Sequence, residues 1–353
     1  MNLFRLFLFL LSPIFIKGTL SSPGDNLDEF IDCAYACEYK RKCPGSMINY
    51  IDPITNEFYN GIDFQDTPYI YKKFLFWDCI SDCDYQCQQI ITKRRIKENE
   101  EIYQFHGKWP FLRIFGTQEF FSVIFSVGNF IPHYYGLRRL QIQFNKYQRT
   151  PYRNILINYM YVAIAGLLAW SASTIFHLRD LLITEKLDYF FAGLTVLVAF
   201  HGLFSRMTRL YLYETFSMVF KGCMVFIFIV HLLRLYLDWS YTYNMRFNVF
   251  FGILQYLLLL LLSYQNYVSL KSSKEIVYRY NQRILKLCII PIGLVTFTGL
   301  AMSLELFDFF SYDYQIDAHA LWHAATVVPT YYLYEFLIED FNYIIETNKK
   351  ILK

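Results

Sequence analysis

Charge is what this sequence has least of for its size. Asp, Glu, Lys and Arg make up 18% of its 353 residues and hydrophobic residues 55%, a balance that excludes an ordinary soluble globule and points to a membrane protein. The formal net charge of +3 averages over segments expected in different compartments, so charge has to be read loop by loop. No basic stretch interleaved with aromatics is present, which leaves no footprint for a nucleic-acid partner. No Asn-x-Ser/Thr sequon occurs, so N-glycosylation is excluded. The Cys-x-x-Cys spacing of most structural zinc sites is absent as well.

What is present begins with MNLFRLFLFLLSPIFIKG, one early arginine before a short apolar run, which predicts a signal peptide over residues 1–18. Pro13 interrupts that run and leaves it short of the about 20 residues a span requires, so a permanent anchor is the lesser alternative. The segment that follows is then expected in the lumen. Residues 19–115 hold Cys33, Cys37 and Cys43 in one cluster and Cys79, Cys83 and Cys87 in another. In an oxidising lumen these predict three disulfides and a cysteine-rich domain, the four-residue spacing placing each set on one helical face. The pairing is open at this stage, and a cysteine-ligated zinc is the rival reading. Cys223 and Cys288 lie in apolar segments and are expected as buried thiols.

Beyond residue 115 the chain reads as seven apolar segments of bilayer length, roughly 117–136, 155–176, 188–205, 217–236, 247–268, 284–305 and 319–338. The fold class expected is an all-α polytopic membrane protein, seven transmembrane helices after an N-terminal disulfide-rich luminal domain. Its parts are the luminal domain at 19–115, a seven-helix domain at 116–340 and a cytosolic tail at 341–353. Arg138, Arg139, Lys146, Arg149 and Arg153 cluster between the first two segments, and Lys271, Lys274, Arg279 and Arg283 between the fifth and sixth. Those connections are expected in the cytosol, and the lysine- and arginine-free SLELFDFFSYDYQIDAH in the lumen.

With that topology, several polar side chains fall at one depth. His177 ends the second segment on the luminal side, with Ser173 about 6 Å deeper. Asp188 opens the third segment, and His319 and His323 open the seventh, one turn apart on the same face. Ionisable groups are costly in lipid, and here they gather, which marks a functional site. Isolated histidines such as His133, His201 and His231 are expected to serve helix packing instead. Three neutral imidazoles suit zinc with one open position, where a water can be acidified toward pKa about 7. His177, His319 and His323 are the candidate ligands, Asp188 the candidate general base, and Ser173 a hydrogen-bonding aid to the water or oxyanion. Asp180, Glu185 and Asp317 are the candidates for orienting the histidines from behind.

SASTIFH, Asp188 eleven residues after His177, and HALWH resemble the seven-span metal-hydrolase superfamily called CREST, which includes alkaline ceramidases and the adiponectin-receptor group. That resemblance implies a zinc site formed by Ser173, His177, Asp188, His319 and His323. Across nearly the whole chain, CAYACEYKRKC, LFWDCISDCDYQC, YQFHGKWPF, GTQEFFSVIFSVGNF and DAHALWH resemble the Per family, the group of post-GPI-attachment protein factor three. SPGDNLDEFIDC is similar to its yeast members. The resemblance implies an endoplasmic-reticulum membrane protein with a phospholipase A2-type activity, removing the sn-2 acyl chain from GPI-anchored proteins in the membrane. A ceramidase-like amidase is the alternative within enzymes. A noncatalytic receptor, chaperone or metal-handling protein is the alternative outside them.

Overall fold

Cystines build the N-terminal part. In the computed structural model, which describes residues 22–45, 59, 61–150, 152–272, 276–307, 309 and 314–351, helix α1 (Asp28–Arg41) lies against α3 (Cys79–Lys97), with the short α2 (Tyr69–Leu75) beside them. The expected signal peptide at 1–18 lies outside the described residues. Each helix is polarised along its dipole: Asp28 and Glu29 open α1 and Lys40 and Arg41 close it. Asp78 caps α3 by accepting the Ser81 N–H at 2.7 Å. Three disulfides, Cys33–Cys87, Cys37–Cys83 and Cys43–Cys79, rung an antiparallel ladder, because Cys33 and Cys37 on α1 and Cys79, Cys83 and Cys87 on α3 recur one turn apart on the facing stripes, while Cys43 follows just past the end of α1. The pairing open in the sequence is thus resolved, and the sulfurs are not available as zinc-binding thiolates. Beside the ladder the buried Asp82 accepts from Arg41 at 2.8 Å, Arg113 at 2.5 Å and Thr67 at 2.7 Å.

The remainder is helical as well. Among the described residues no strand occurs, and two isolated bridges, Phe105 with Lys108 and Ile114 with Thr117, are the whole β content. The helices are α4 (Phe120–Tyr147), α5 (Arg153–Leu178), α6 (Leu182–Met207), α7 (Glu214–Leu237) and α8 (Tyr241–Lys271), then α9 (Val277–Ile284), α10 (Ile290–Phe307) and α11 (Ala318–Ile351). A π turn at Leu285–Ile289 joins α9 to α10 without a break. By length and composition five are able to cross a membrane: α5, α6, α7, α8 and the α9–α10 run. The protein is therefore read as a membrane protein. The first and seventh apolar segments fall in α4 and α11, which carry more polar residues. The tail expected from residue 341 is the continuation of α11.

Helix α4 packs against α5 and α11. Gly136 lets it approach α11 so closely that a Cβ there would sit 2.3 Å from the Tyr334 ring, and Gly166 of α5 does the same against His133. At the end remote from the cystines, Arg206 of α6 grips Asp340 of α11 through two bonds of 2.7 and 2.9 Å. Tyr159 of α5 and Asn266 of α8 complete that buried knot, each bonding Asp340 at 3.1 Å. It ties four helices together and draws on no residue of the predicted site. Cys288 is buried, but Cys223 is exposed on the outer face of α7, a correction: apolar surroundings in sequence do not say which side of a helix packs inward.

Candidate metal centre

The site sits where α5 ends and α11 begins, against the cystine domain. His319 and His323 lie one turn apart at the start of α11, and His177 comes from the last turn of α5. One nitrogen from each ring lies within 4.8 Å of the other two. His177 and His323 are fully buried, while His319 reaches the surface.

Every Nδ1 has a partner. His177 Nδ1 meets Glu119 Oε2 at 2.8 Å, His319 Nδ1 meets Glu305 Oε2 at 2.6 Å, and His323 Nδ1 meets Ser126 Oγ at 3.0 Å. An ionised carboxylate only accepts, so the first two rings carry hydrogen on Nδ1, and in the neutral imidazole form that binds a metal their lone pair is on Nε2. The Ser126 hydroxyl donates to the Ser122 carbonyl at 2.7 Å, so its oxygen is left to receive from His323 Nδ1–H and from Ser173 Oγ–H at 3.1 Å. All three histidines thereby take the same tautomer, with Nε2 bare.

This set fits a metal. His177 Nε2 and His319 Nε2 face each other at 3.3 Å, and as neutral rings with Nδ1 protonated neither has a hydrogen to offer the other. A shared cation removes that conflict. Tetrahedral zinc with Zn–N of about 2.0–2.1 Å requires neighbouring nitrogens about 3.3–3.4 Å apart, the spacing of the His177–His319 pair, with the His323 nitrogen within 4.8 Å of both. Histidines backed by carboxylates are also the usual dress of a metal site.

The orienting carboxylates are not those expected. Asp317 caps α11 by accepting the Ala320 N–H at 2.8 Å, Asp180 pairs with Lys108 at 2.9 Å, and Glu185 bonds none of the three Nδ1 atoms. Glu119 and Glu305 hold the rings instead. Glu119 belongs to a buried polar stripe on and before α4: Glu119, Ser122, Ser126, Asn129 and His133. Their alternating intervals of three and four residues mark one helical face, a signal legible in GTQEFFSVIFSVGNF. Asn129 Nδ2 adds a bond to the His323 carbonyl at 2.7 Å.

Asp188, at the start of α6, makes no hydrogen bond to the three histidines among the described residues. Its carboxyl lies within electrostatic reach of His319, Lys108, Glu119 and Glu305. Trp170 and Trp322 flank His323 with ring centroids at 5.1 Å each, forming an aromatic wall. Lys108 is held protonated well above the ordinary lysine range: burial opposes its charge, but Glu119 and Asp180 outweigh that penalty. His106 bonds Asp84 at 2.9 Å, which lifts its pKa to about 9; it ties the cystine domain together and is not a ligand.

Residues 69–341 match the Per1-like family. The chain belongs to that family. It is 62% identical to "Protein PER1" of Saccharomyces cerevisiae over 91% of this chain and 93% of the relative. It is 34% identical to "Protein PER1 homolog" of Schizosaccharomyces pombe, over 96% and 92%. A more distant relative, "GPI-specific phospholipase A2-like PGAP3" of Xenopus tropicalis, is 31% identical over 95% and 96%. No solved structure matches. The Per1-like match starts at α2 and ends one residue past Asp340, so it takes in both the histidine cluster and the buried knot at the opposite end.

Proposed function

We propose that this Per1-like protein is a metal-dependent ester hydrolase of the endoplasmic-reticulum membrane that removes the sn-2 acyl chain from GPI-anchored proteins. The convergence of three bare Nε2 atoms, each backed by its own Nδ1 acceptor, carries the chemistry. The printed name of the Xenopus relative, aligned over nearly its full length, supports the substrate.

A zinc ion held by His177, His319 and His323 would supply Lewis acidity toward water and toward an ester carbonyl. Glu119, Glu305 and Ser126 keep the three rings in the tautomer that presents Nε2. Asp188 accepts the proton that water loses as its oxygen bonds to the carbonyl carbon, and returns it to the lysolipid oxygen as the ester bond breaks. Ser173, whose one hydroxyl hydrogen otherwise goes to Ser126, turns it to the oxygen on which charge grows. Trp170 and Trp322 exclude water from the flank of His323, and the apolar helix surfaces receive the acyl chains.

The same reading takes α4 and α11 as the first and seventh spans: their polar residues point to the site and the knot, where lipid does not reach. Residues 19–115 form the luminal domain, 116–340 the seven-helix hydrolase domain, and 341–353 the cytosolic end. Three disulfides favour a luminal location for the first of these, and the basic connections favour the cytosol for the other side. The glycan and protein parts of the substrate then meet the site from the lumen.

Product analysis tests the proposal. Purified protein given a diacyl GPI-anchored substrate is expected to release free fatty acid from sn-2, and Asp188→Asn to release little. Release of a sphingoid base from ceramide instead identifies an amidase. Full cellular function of Asp188→Asn at normal expression identifies a noncatalytic role.

A further inference from the structure

Lys108 belongs to the cystine domain by its main chain and to the metal centre by its side chain. Its backbone is fixed by a two-residue turn: Phe105 and Lys108 exchange main-chain bonds of 2.8 and 2.9 Å, and His106 and Gly107 between them both take positive φ, 50° and 79°. That turn is tied down from outside. Asp25 accepts the His106 N–H at 2.8 Å and Ser22 Oγ accepts the Gly107 N–H at 2.6 Å. Phe105 itself is buried among the cystines, 4.7 Å from the Phe30 ring. Rigidity therefore runs from the disulfides to the Lys108 Cα.

From there the side chain crosses to the helix bundle. Lys108 Nζ lies over the Phe176 ring at 4.0 Å, beside His177 in sequence, and reaches Glu119 Oε1 at 2.5 Å and Asp180 Oδ2 at 2.9 Å. The other oxygen of Glu119 is the one that holds His177 Nδ1. Without Lys108, Glu119 keeps one bond from an imidazole that has to remain neutral, and its remaining lone pairs compete for the same N–H by rotation. With Lys108 in place the carboxylate plane is set and a single oxygen faces the ring.

We propose that Lys108 is a positioning residue of the metal centre, through which the cystine-held luminal domain sets the orientation of His177. It rests on the metal-hydrolase reading above. The luminal domain is then a part of the hydrolase site, delivering one side chain to it, and not a separate module above it.

The experiment uses the full-length protein in lipid nanodiscs, with zinc retention measured against a graded series of chelator concentrations. Lys108→Met is expected to weaken retention by about 10- to 100-fold, the usual cost of losing a group that orients a ligand, and Lys108→Arg to recover most of it. Glu119→Gln is expected to weaken retention similarly, and Lys108→Met added to it to cost little more, because the lysine acts through that carboxylate. Cystine integrity on non-reducing gels and the thermal midpoint report whether each variant folds. Should Lys108→Met alone fail to fold, the double variant, which removes both charges together, is compared with Glu119→Gln. Wild-type retention in folded Lys108→Met, or a full further loss on the Glu119→Gln background, overturns the proposal. A wild type that retains no metal overturns the metal-hydrolase reading itself, and the role of Lys108 with it.

Discussion

Glu119 grips His177 at two points: its main-chain N–H donates to the His177 carbonyl at 3.0 Å, and its carboxylate accepts from His177 Nδ1 at 2.8 Å. The first bond survives substitution and the second does not. Glu119→Gln therefore leaves α4 docked on α5 while the ring loses its anionic acceptor. Zinc content after dialysis is expected to fall with the thermal midpoint nearly unchanged, and the chelator concentration for half-loss to drop by about 10- to 100-fold. Equal loss of metal and of fold would show that Glu119 serves packing alone.

Asp188 and Ser173 are expected to separate from the histidines in the opposite sense. Asp188→Asn keeps metal and lowers turnover by about 10²–10⁴-fold, the range for a lost general base. Ser173→Ala keeps metal too and lowers turnover by up to about 10²–10³-fold, the range for one oxyanion donor. Paired assays of zinc content and fatty-acid release check both.

Ser126 carries three hydrogen bonds on one oxygen. Ser126→Ala leaves the His323 Nδ1–H buried without its acceptor, at a cost of about 1–3 kcal/mol, and frees the ring to turn. Reduced metal affinity together with a lower thermal midpoint is the expected outcome, whereas Ser122→Ala, which leaves a main-chain acceptor in place, is expected to change little. Chelator titration and thermal unfolding of the two variants side by side test this.

The clustering of His177, His319 and His323 was legible in the sequence because three rules met there: bilayer-length segments set a depth, charge between them set a direction, and helical spacing set a face. Those placed Ser173, His177, Asp188, His319 and His323 at one level. The groups behind the histidines were not legible by the same route. Depth and sequence proximity favoured Asp180, Glu185 and Asp317, but Asp317 caps α11, Asp180 pairs with Lys108, and none of the three bonds a histidine Nδ1. The partners come from other helices, Glu119 before α4 and Glu305 in α10, and only helix packing brings them in. The stripe on α4 was readable in its intervals; which helix it faced was not. Disulfide pairing escaped for a related reason, since six cysteines allow fifteen connectivities and only the antiparallel docking of α1 on α3 selects one. The Arg206–Asp340 knot was hidden because each residue, taken singly, reads as an end-of-helix anchor.

That knot predicts a stability effect far from the site. Asp340 lies 17 residues beyond His323 on α11, roughly 26 Å along the helix. Asp340→Asn leaves Arg206 buried without its counter-charge and is expected to destabilise the bundle by about 3–5 kcal/mol, while Arg206→Met with Asp340→Leu is expected to cost less, the residual loss coming from Tyr159 and Asn266, which lose the same acceptor. Thermal unfolding in nanodiscs distinguishes these from an effect on chemistry.

In the cystine domain Asp82 is buried, which raises its pKa, but the bonds from Thr67, Arg113 and Arg41 outweigh that and hold it below the ordinary carboxylate value of 3.8. A depressed pKa contributes stability that is complete above the unfolded value and is lost as pH falls through the folded one. Hydrogen-exchange protection along α3, relative to the unfolded rate at each pH, is therefore expected to be steady from pH 7 to about pH 5 and to fall below about pH 4. Asp82→Asn should remove that acid dependence and lower protection at every pH, because Arg41 and Arg113 lose their buried counter-charge.

Metal content and sn-2 fatty-acid release, measured on the same preparations of wild type and His323→Ala, test the central claim most directly. The expected result is near-stoichiometric zinc with acyl release in the wild type, and loss of both in the variant while its cystines and thermal midpoint are retained. Metal bound by the wild type without acyl release, or acyl release that persists in metal-free His323→Ala, would contradict it.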